Sequence, residues 1–201
     1  SESDPLGGHD PYSASKAMAD ILTQSWASTH EDMVIHVARA GNVIGAFDVS
    51  ENRLIPDIRR AIEANVPLVT RYPEAVRPWQ HVLDCLSGYL AFIDAARQGA
   101  KLPVALNFGP DPSGLRAVGD VIATASGAYP TLQVQKLSAE TPKETGVLTL
   151  DSKQAHAYLG WEDVLGFEES VLSSLPPSAV DVREEVFRST RDFLTAKQSS
   201  S

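Results

Sequence analysis

The 201-residue chain is poor in several things that would each have announced a function. It has one cysteine, Cys85, so no internal disulfide can form, and a reducing compartment such as the cytoplasm is the expected setting. No apolar run approaches the ~20 residues that cross a bilayer, so no membrane partner is expected. Positive charge is scarce: 17 Lys and Arg stand against 26 Asp and Glu, a net charge of -9. A nucleic-acid surface is therefore not expected. The 13 glycines never form G-x-G-x-x-G or G-x-x-G-x-x-G, the turn at which backbone N–H groups approach a pyrophosphate. There is no G-x-S-x-G nucleophile elbow. The pairs His9-Asp10 and His81/Asp84 find no further ligands nearby in sequence, so no metal is expected.

What is present is the composition of a globular domain, 43% hydrophobic and 21% charged, long enough to bury a core. Helical periodicity starts at Tyr12 and runs to Thr29, with Met18, Ile21, Leu22, Ser25 and Trp26 toward one face. "MVIHVARAGNVIG" reads as a buried strand leading into a loop. "LIPDIRRAIEAN" reads as a short helix burying Ile55, Ile58 and Ile62. Two short strands, "PLVT" and "PWQHV", precede a helix in "LDCLSGYLAFIDAARQG" with Leu83, Leu86, Leu90 and Ile93 inward and Gly99 just past its end. A buried strand "PVALNFG", a helix "VGDVIATASGAY", an alternating strand "LQVQKL" and a helix "DSKQAHAYLGW" follow. Asp151 is the expected cap of that helix and Gly160 its stop. After Pro176-Pro177, a last helix is expected from Ser178 to Lys197, with "KQSSS" disordered.

Strands alternating with helices indicate an α/β class. Only the strands near 34–38 and 104–108 look buried on both faces. Two parallel strands do not make a stable sheet, so further sheet is expected from elsewhere.

Tyr12 and Lys16 lie four apart on the first helix and so share a face. A phenol is a weak base at neutral pH, and a neighbouring ammonium lowers its pKa by roughly 1–3 units. The pair suits removal of an alcohol proton, although the spacing alone fits an aromatic beside a solvated lysine equally well.

The longer motif "DPYSASKAMAD" resembles the active-site helix of the extended short-chain dehydrogenases/reductases. "VARAGNVIG", "NRLIPDIRRAI", "AVRPWQHVLDCLSGYL", "LNFGP" and "LTLDSKQAHAYLGW" follow in the order of the CDP-glucose 4,6-dehydratase branch of that family. The resemblance implies a Rossmann-like extended short-chain dehydrogenase/reductase fold, this chain being the C-terminal part of the doubly wound sheet plus a substrate-binding subdomain. Residues 1–45 would close the NAD-binding domain, and 46–201 would form the substrate-binding region, with Rossmann elements returning at about 83–110. The glycine-rich half and the family's acid–base pair would then lie before Ser1.

The resemblance further implies NAD as cofactor, a nucleotide-sugar substrate and a homodimer or higher homo-oligomer in the intact enzyme. The reaction implied is a lyase step, CDP-glucose to CDP-4-keto-6-deoxyglucose, in deoxysugar biosynthesis. Tyr12 would take the C4 hydroxyl proton, and Lys16 would hold the nicotinamide ribose. Asn42, Arg53 and Arg77 would bind the substrate, with Arg77 on phosphate, and Trp79 and His81 would shape the sugar pocket. Arg71 is a weaker candidate of the same kind. Arg59 and Arg60 read as solvated surface, and Arg39 as an ion-pair partner at a strand end. After Gly45 the family usually continues with glycine, whereas this chain has Ala46, Phe47, Asp48 and Val49. Two other readings stand beside this one. The first is another nucleotide-sugar dehydratase or epimerase of the superfamily. The second is a non-catalytic fragment that, alone, neither binds NAD tightly nor turns over substrate.

Overall fold

The computed structural model describes residues 1–30, 32–112, 115–136, 146–175 and 182–199. Its first element, α1 (Pro11–Thr29), starts where local chemistry dictates. The Asp10 carboxylate accepts from the N–H of Tyr12 at 2.9 Å and of Ser13 at 3.0 Å, and Pro11 fills the first turn.

Strand β1 (Val37–Ala40) runs parallel to β5 (Ala105–Phe108), pairing Arg39 with Asn107. β2 (Asn42–Ile44) continues from β1 but changes neighbour, pairing in parallel with β4 (Val76–His81). The switch falls at Gly41, where a Cβ would stand 2.6 Å from Pro78 Cγ. β4 also pairs antiparallel with β6 (Leu115–Ala117). β3 (Leu68–Thr70) pairs in parallel with β7 (Val134–Lys136).

The helices fill in between. They are α2 (Leu54–Ala64), α3 (Val82–Arg97), α4 (Val118–Ala128), α5 (Lys153–Leu159), α6 (Phe167–Ser173) and α7 (Val182–Ser199). One core gathers Ile55 and Ile58 of α2, Trp79 of β4, Val121 and Ala125 of α4, and Val171 of α6. A second joins Phe92 of α3, Leu106 and Phe108 of β5, Ala155 of α5 and Trp161. α2 buries Ile55 and Ile58 as its periodicity predicts, and Gly160 ends α5 with φ of 59°.

Several expectations are corrected. The apolar stripe of α1 does not face a core: Met18, Ile21, Leu22 and Trp26 are exposed, and Ala17 is the helix's buried residue. On α3, Leu86, Leu90 and Ile93 are exposed, and the buried side is Asp84, Cys85, Gly88 and Phe92. The helix is apolar on two sides, and the aromatic pair Phe108 and Trp161 packs where glycine leaves room. β1 begins at Val37, three residues later than expected, and is only half-buried, with Val34 exposed. β6 and α6 are further elements with no counterpart in the sequence reading. The Pro176-Pro177 break lies outside the described residues. The last helix is described over Val182–Ser199, so Lys197 and Gln198 of the expected disordered tail are helical; its expected start at Ser178 lies outside the described residues.

Candidate active site

A cleft of about 1290 Å³ opens between the start of α1, the β1–β2 run, α2 and the β3–β4 region. Tyr12, Asn42, Arg53, Arg77 and Trp79 line it, and so does Arg71. These residues come from positions up to 67 apart in sequence, brought together because β2 and β4 pair with Asn42 opposite Trp79. Tyr12 stands at the mouth, 66% exposed. Arg77 is 6% exposed, and its Nη1 donates to the Val76 carbonyl at 2.7 Å. Trp79 is a wall of the cleft and a member of the core, and its Nε1–H donates to the Arg116 carbonyl at 2.9 Å. That bond satisfies the indole without using the cleft.

Arg53 is the N-cap residue of α2, and the first turn of that helix also lines the cleft. The start of α2 and the guanidinium groups of Arg53, Arg71 and Arg77 share the lining, and cations together with a helix N-terminus favour an anion. Guanidinium groups suit phosphate because they donate two parallel hydrogen bonds. Asp57 lines the cleft as an opposing charge, and so does Asp48. Hydrogen bonds from Ser50, together with the charges of Arg53 and Arg59, hold its carboxyl below the usual carboxylate range.

Lys16 and His81 are not among the lining residues. Lys16 is exposed one turn beyond Tyr12, its Nζ 5.8 Å from the phenol ring centroid. His81 is 4% exposed and lines a smaller cavity of about 350 Å³ beside α6 and α7. Its Nδ1 accepts from the Leu83 N–H at 3.3 Å, capping α3. Burial pushes the imidazolium down to about 4, so His81 is neutral near pH 7 and offers no charge to a phosphate.

Arg59 and Arg60 are not simply solvated. Arg59 Nη2 donates to the Asp48 carbonyl at 2.8 Å, and Arg60 Nη2 to the Ser50 carbonyl at 3.1 Å. Arg60 also pairs with Asp57 and lines the cleft. The two arginines grip a loop containing Phe47 and Asn52, whose φ values are 67° and 59°. Their sequence signal was the spacing of adjacent arginines on α2 behind an irregular loop, which does not distinguish them from surface charge. Arg39 is the strand-end ion-pair partner: its Nε lies 2.6 Å from Asp20 Oδ2. Among the described residues no group of three or more His, Cys, Asp or Glu side chains gathers as metal ligands.

A model of the "NAD dependent epimerase/dehydratase family" matches residues 1–109, which include α1 and both strands of the β1–β5 pair. The chain belongs to the NAD dependent epimerase/dehydratase family. A CDP-glucose 4,6-dehydratase of Salmonella typhimurium is 36% identical over 180 residues, 85% of this chain and 50% of that protein. A dTDP-glucose 4,6-dehydratase of Haemophilus influenzae is 23% identical over 178 residues, 85% of this chain and 52% of that one. The chain thus spans about half the length of the curated relatives it matches. Among solved structures, dTDP-glucose 4,6-dehydratase of Bacillus anthracis in complex with NAD superposes with a TM-score of 0.74 at 21% identity. That match covers 87% of this chain and 54% of the other. The fold is therefore the Rossmann-like α/β fold of extended short-chain dehydrogenases/reductases, and the family's cofactor is NAD.

The residues present fit one end of that cofactor. Lys16 makes no hydrogen bond or ion pair to another described residue, and three free donors beside a phenol suit a ribose diol. Residues 1–201 carry no glycine-rich turn for the pyrophosphate end.

Among the described residues no helix is long and apolar enough to cross a membrane.

Proposed function

We propose that this chain is the substrate-side part of an NAD-dependent nucleotide-sugar 4,6-dehydratase that acts on CDP-glucose. The observation that carries the reading is that the Tyr12 phenol opens into the same cleft as Arg53, Arg71 and Arg77. A proton acceptor for an alcohol and a set of cations for a diphosphate therefore share one cavity. Lys16 would hold the nicotinamide ribose of NAD, which when bound would supply the hydride acceptor for the hexose C4. Tyr12 accepts the C4 hydroxyl proton. Arg77 and Arg53 bind the diphosphate, Asn42 donates to the sugar or phosphate, and Trp79 closes the apolar wall. The proton transfers at C5 and C6 need an acid–base pair, a role to which none of these residues is assigned.

The 36% identity to the Salmonella CDP-glucose enzyme, against 23% for the dTDP-glucose one, supports CDP as the nucleotide. So does Ile44 in "NVIG", a position where the dTDP-glucose and GDP-mannose types usually carry tyrosine. His81, neutral and bonded to Leu83, is kept in the proposal only as a packing residue behind the wall. A panel of CDP-glucose, dTDP-glucose, UDP-glucose and GDP-mannose offered to the full-length enzyme tests the choice. A kcat/KM for CDP-glucose at least tenfold above the others supports it; a preference for any other nucleotide overturns it in favour of a related dehydratase or epimerase.

A further inference from the structure

The helix that carries Tyr12 and Lys16 is held by little apolar packing, Ala17 being its one buried residue. Its hold on the sheet is polar. Tyr12, Lys16 and Asp20 follow one another at four-residue steps along α1. The Asp20 carboxylate receives Arg39 of β1 in a two-point clasp, Nε to Oδ2 at 2.6 Å and Nη2 to Oδ1 at 3.0 Å. Gln24 Nε2, one turn further, adds a donor to Asp20 Oδ1 at 2.6 Å. Both members of the clasp are largely shielded, at 16% and 10% side-chain exposure, so water screens the pair weakly. The Arg39 donors hold the Asp20 carboxyl below the usual carboxylate range.

A second tether lies ahead of the helix. Glu2 Oε1 accepts the backbone N–H of Asn107 at 2.9 Å, and Oε2 accepts from Gln154 Nε2 at 3.1 Å. Asn107 is the residue of β5 in register with Arg39 of β1. The segment bearing Tyr12 and Lys16 is thus pinned on both sides, by Glu2 and by Asp20, at one level of the β1–β5 pair. A two-point clasp also fixes the helix's rotation about its own axis, which a single bond does not.

We propose that Glu2 and the Asp20–Arg39 pair are positioning residues of this site: together they set where the Tyr12 phenol and the Lys16 ammonium stand relative to the sheet. The proposal rests on the reading of Tyr12 as proton acceptor. A displacement of about 1 Å at such a group costs on the order of a hundredfold in rate, so loosened tethers act on kcat rather than on substrate affinity.

The test uses the full-length enzyme as Glu2→Gln, Asp20→Asn and Arg39→Lys, with two readouts. In Asp20→Asn and Glu2→Gln, kcat for CDP-glucose falls at least tenfold with KM within threefold. Arg39→Lys, which keeps the charge but loses the fork, falls between these and the parent. Amide exchange at residues 12–16 rises at least tenfold in Asp20→Asn while exchange in α2 stays within twofold. Exchange at 12–16 within twofold of the parent overturns the proposal, as does a rise of equal size in α2, which signals general destabilisation. A KM change with kcat intact also overturns it. A parent enzyme that dehydrates no nucleotide hexose refutes the functional reading instead, and the exchange measurement then decides the tethering alone.

Discussion

His81 and Asp84 stand three residues apart at the head of α3, both buried, and burial pushes their ionisations in opposite directions. His81 is pushed down to about 4 and Asp84 up to about 6. Asp84 nevertheless holds a structural post, its carboxylate accepting the N–H of Val164 at 2.6 Å and of Leu165 at 3.3 Å. The His81 contribution to stability is full above its ordinary pKa of ~6.5 and is lost as pH falls toward 4. The Asp84 contribution is full below its ordinary value and is lost as pH rises through about 6. Each is worth about 3 kcal/mol, and between pH 4 and 6.5 they oppose one another.

Removing either partner exposes the other. His81→Asn keeps an oxygen to cap α3, and relative to the parent it gains about 3 kcal/mol as pH falls from 7 to 4. Asp84→Asn moves the other way by a similar amount. Urea midpoints at half-unit pH steps measure both, and curves parallel to the parent's would contradict the opposed pair.

Gly88 of α3 is a packing requirement. A Cβ there would stand 2.4 Å from Phe108 Cδ1 and 3.0 Å from Trp161 Cε2. Gly88→Ala is expected to destabilise by about 1–3 kcal/mol through overpacking. Gly127 in α4 meets nothing within 4 Å, so Gly127→Ala is expected to stabilise by about 0.5–1 kcal/mol. Thermal or urea unfolding of the two variants side by side checks the contrast, and equal effects would contradict it.

Arg60 links the cleft to the loop before α2. Arg60→Ala removes its bonds to Ser50 and Asp57. Amide exchange at residues 48–53 is expected to rise at least fivefold, and the dissociation constant for CDP to rise by a similar factor. Unchanged exchange with weakened CDP binding would make Arg60 a plain phosphate ligand.

The 201 residues by themselves are expected to show no micromolar NAD site in a calorimetric titration. They are also expected to self-associate, because Met18, Leu22 and Trp26 of α1 and Leu86, Leu90 and Ile93 of α3 are exposed. A tight NAD isotherm, or a monodisperse monomer with a sharp melt, would contradict this.

Much of this architecture was legible in the residues. The helix of Tyr12 and Lys16, the Ile55/Ile58 face of α2 and the Gly160 stop are local, and local chemistry decides them. The cleft was legible only through the order of long motifs, since Asn42 and Trp79 meet through strand pairing. Facing was the weakest reading. A stripe such as Leu86, Leu90 and Ile93 marks an apolar side, but α3 has two, and periodicity does not say which one this chain covers. The tethers of Glu2 and Asp20 escaped because each joins residues distant in sequence, Glu2 to Asn107 and Asp20 to Arg39. The reading of Arg39 as an ion-pair partner at a strand end was their one visible trace.

The central claim is that the Tyr12 phenol takes the sugar's proton inside a cleft built for a nucleotide diphosphate. Replacing it by phenylalanine in the full-length enzyme removes one oxygen and little else. The account predicts a fall in CDP-4-keto-6-deoxyglucose formation of at least a thousandfold, with the dissociation constant for CDP-glucose within threefold of the parent's. Turnover within tenfold of the parent's would contradict it.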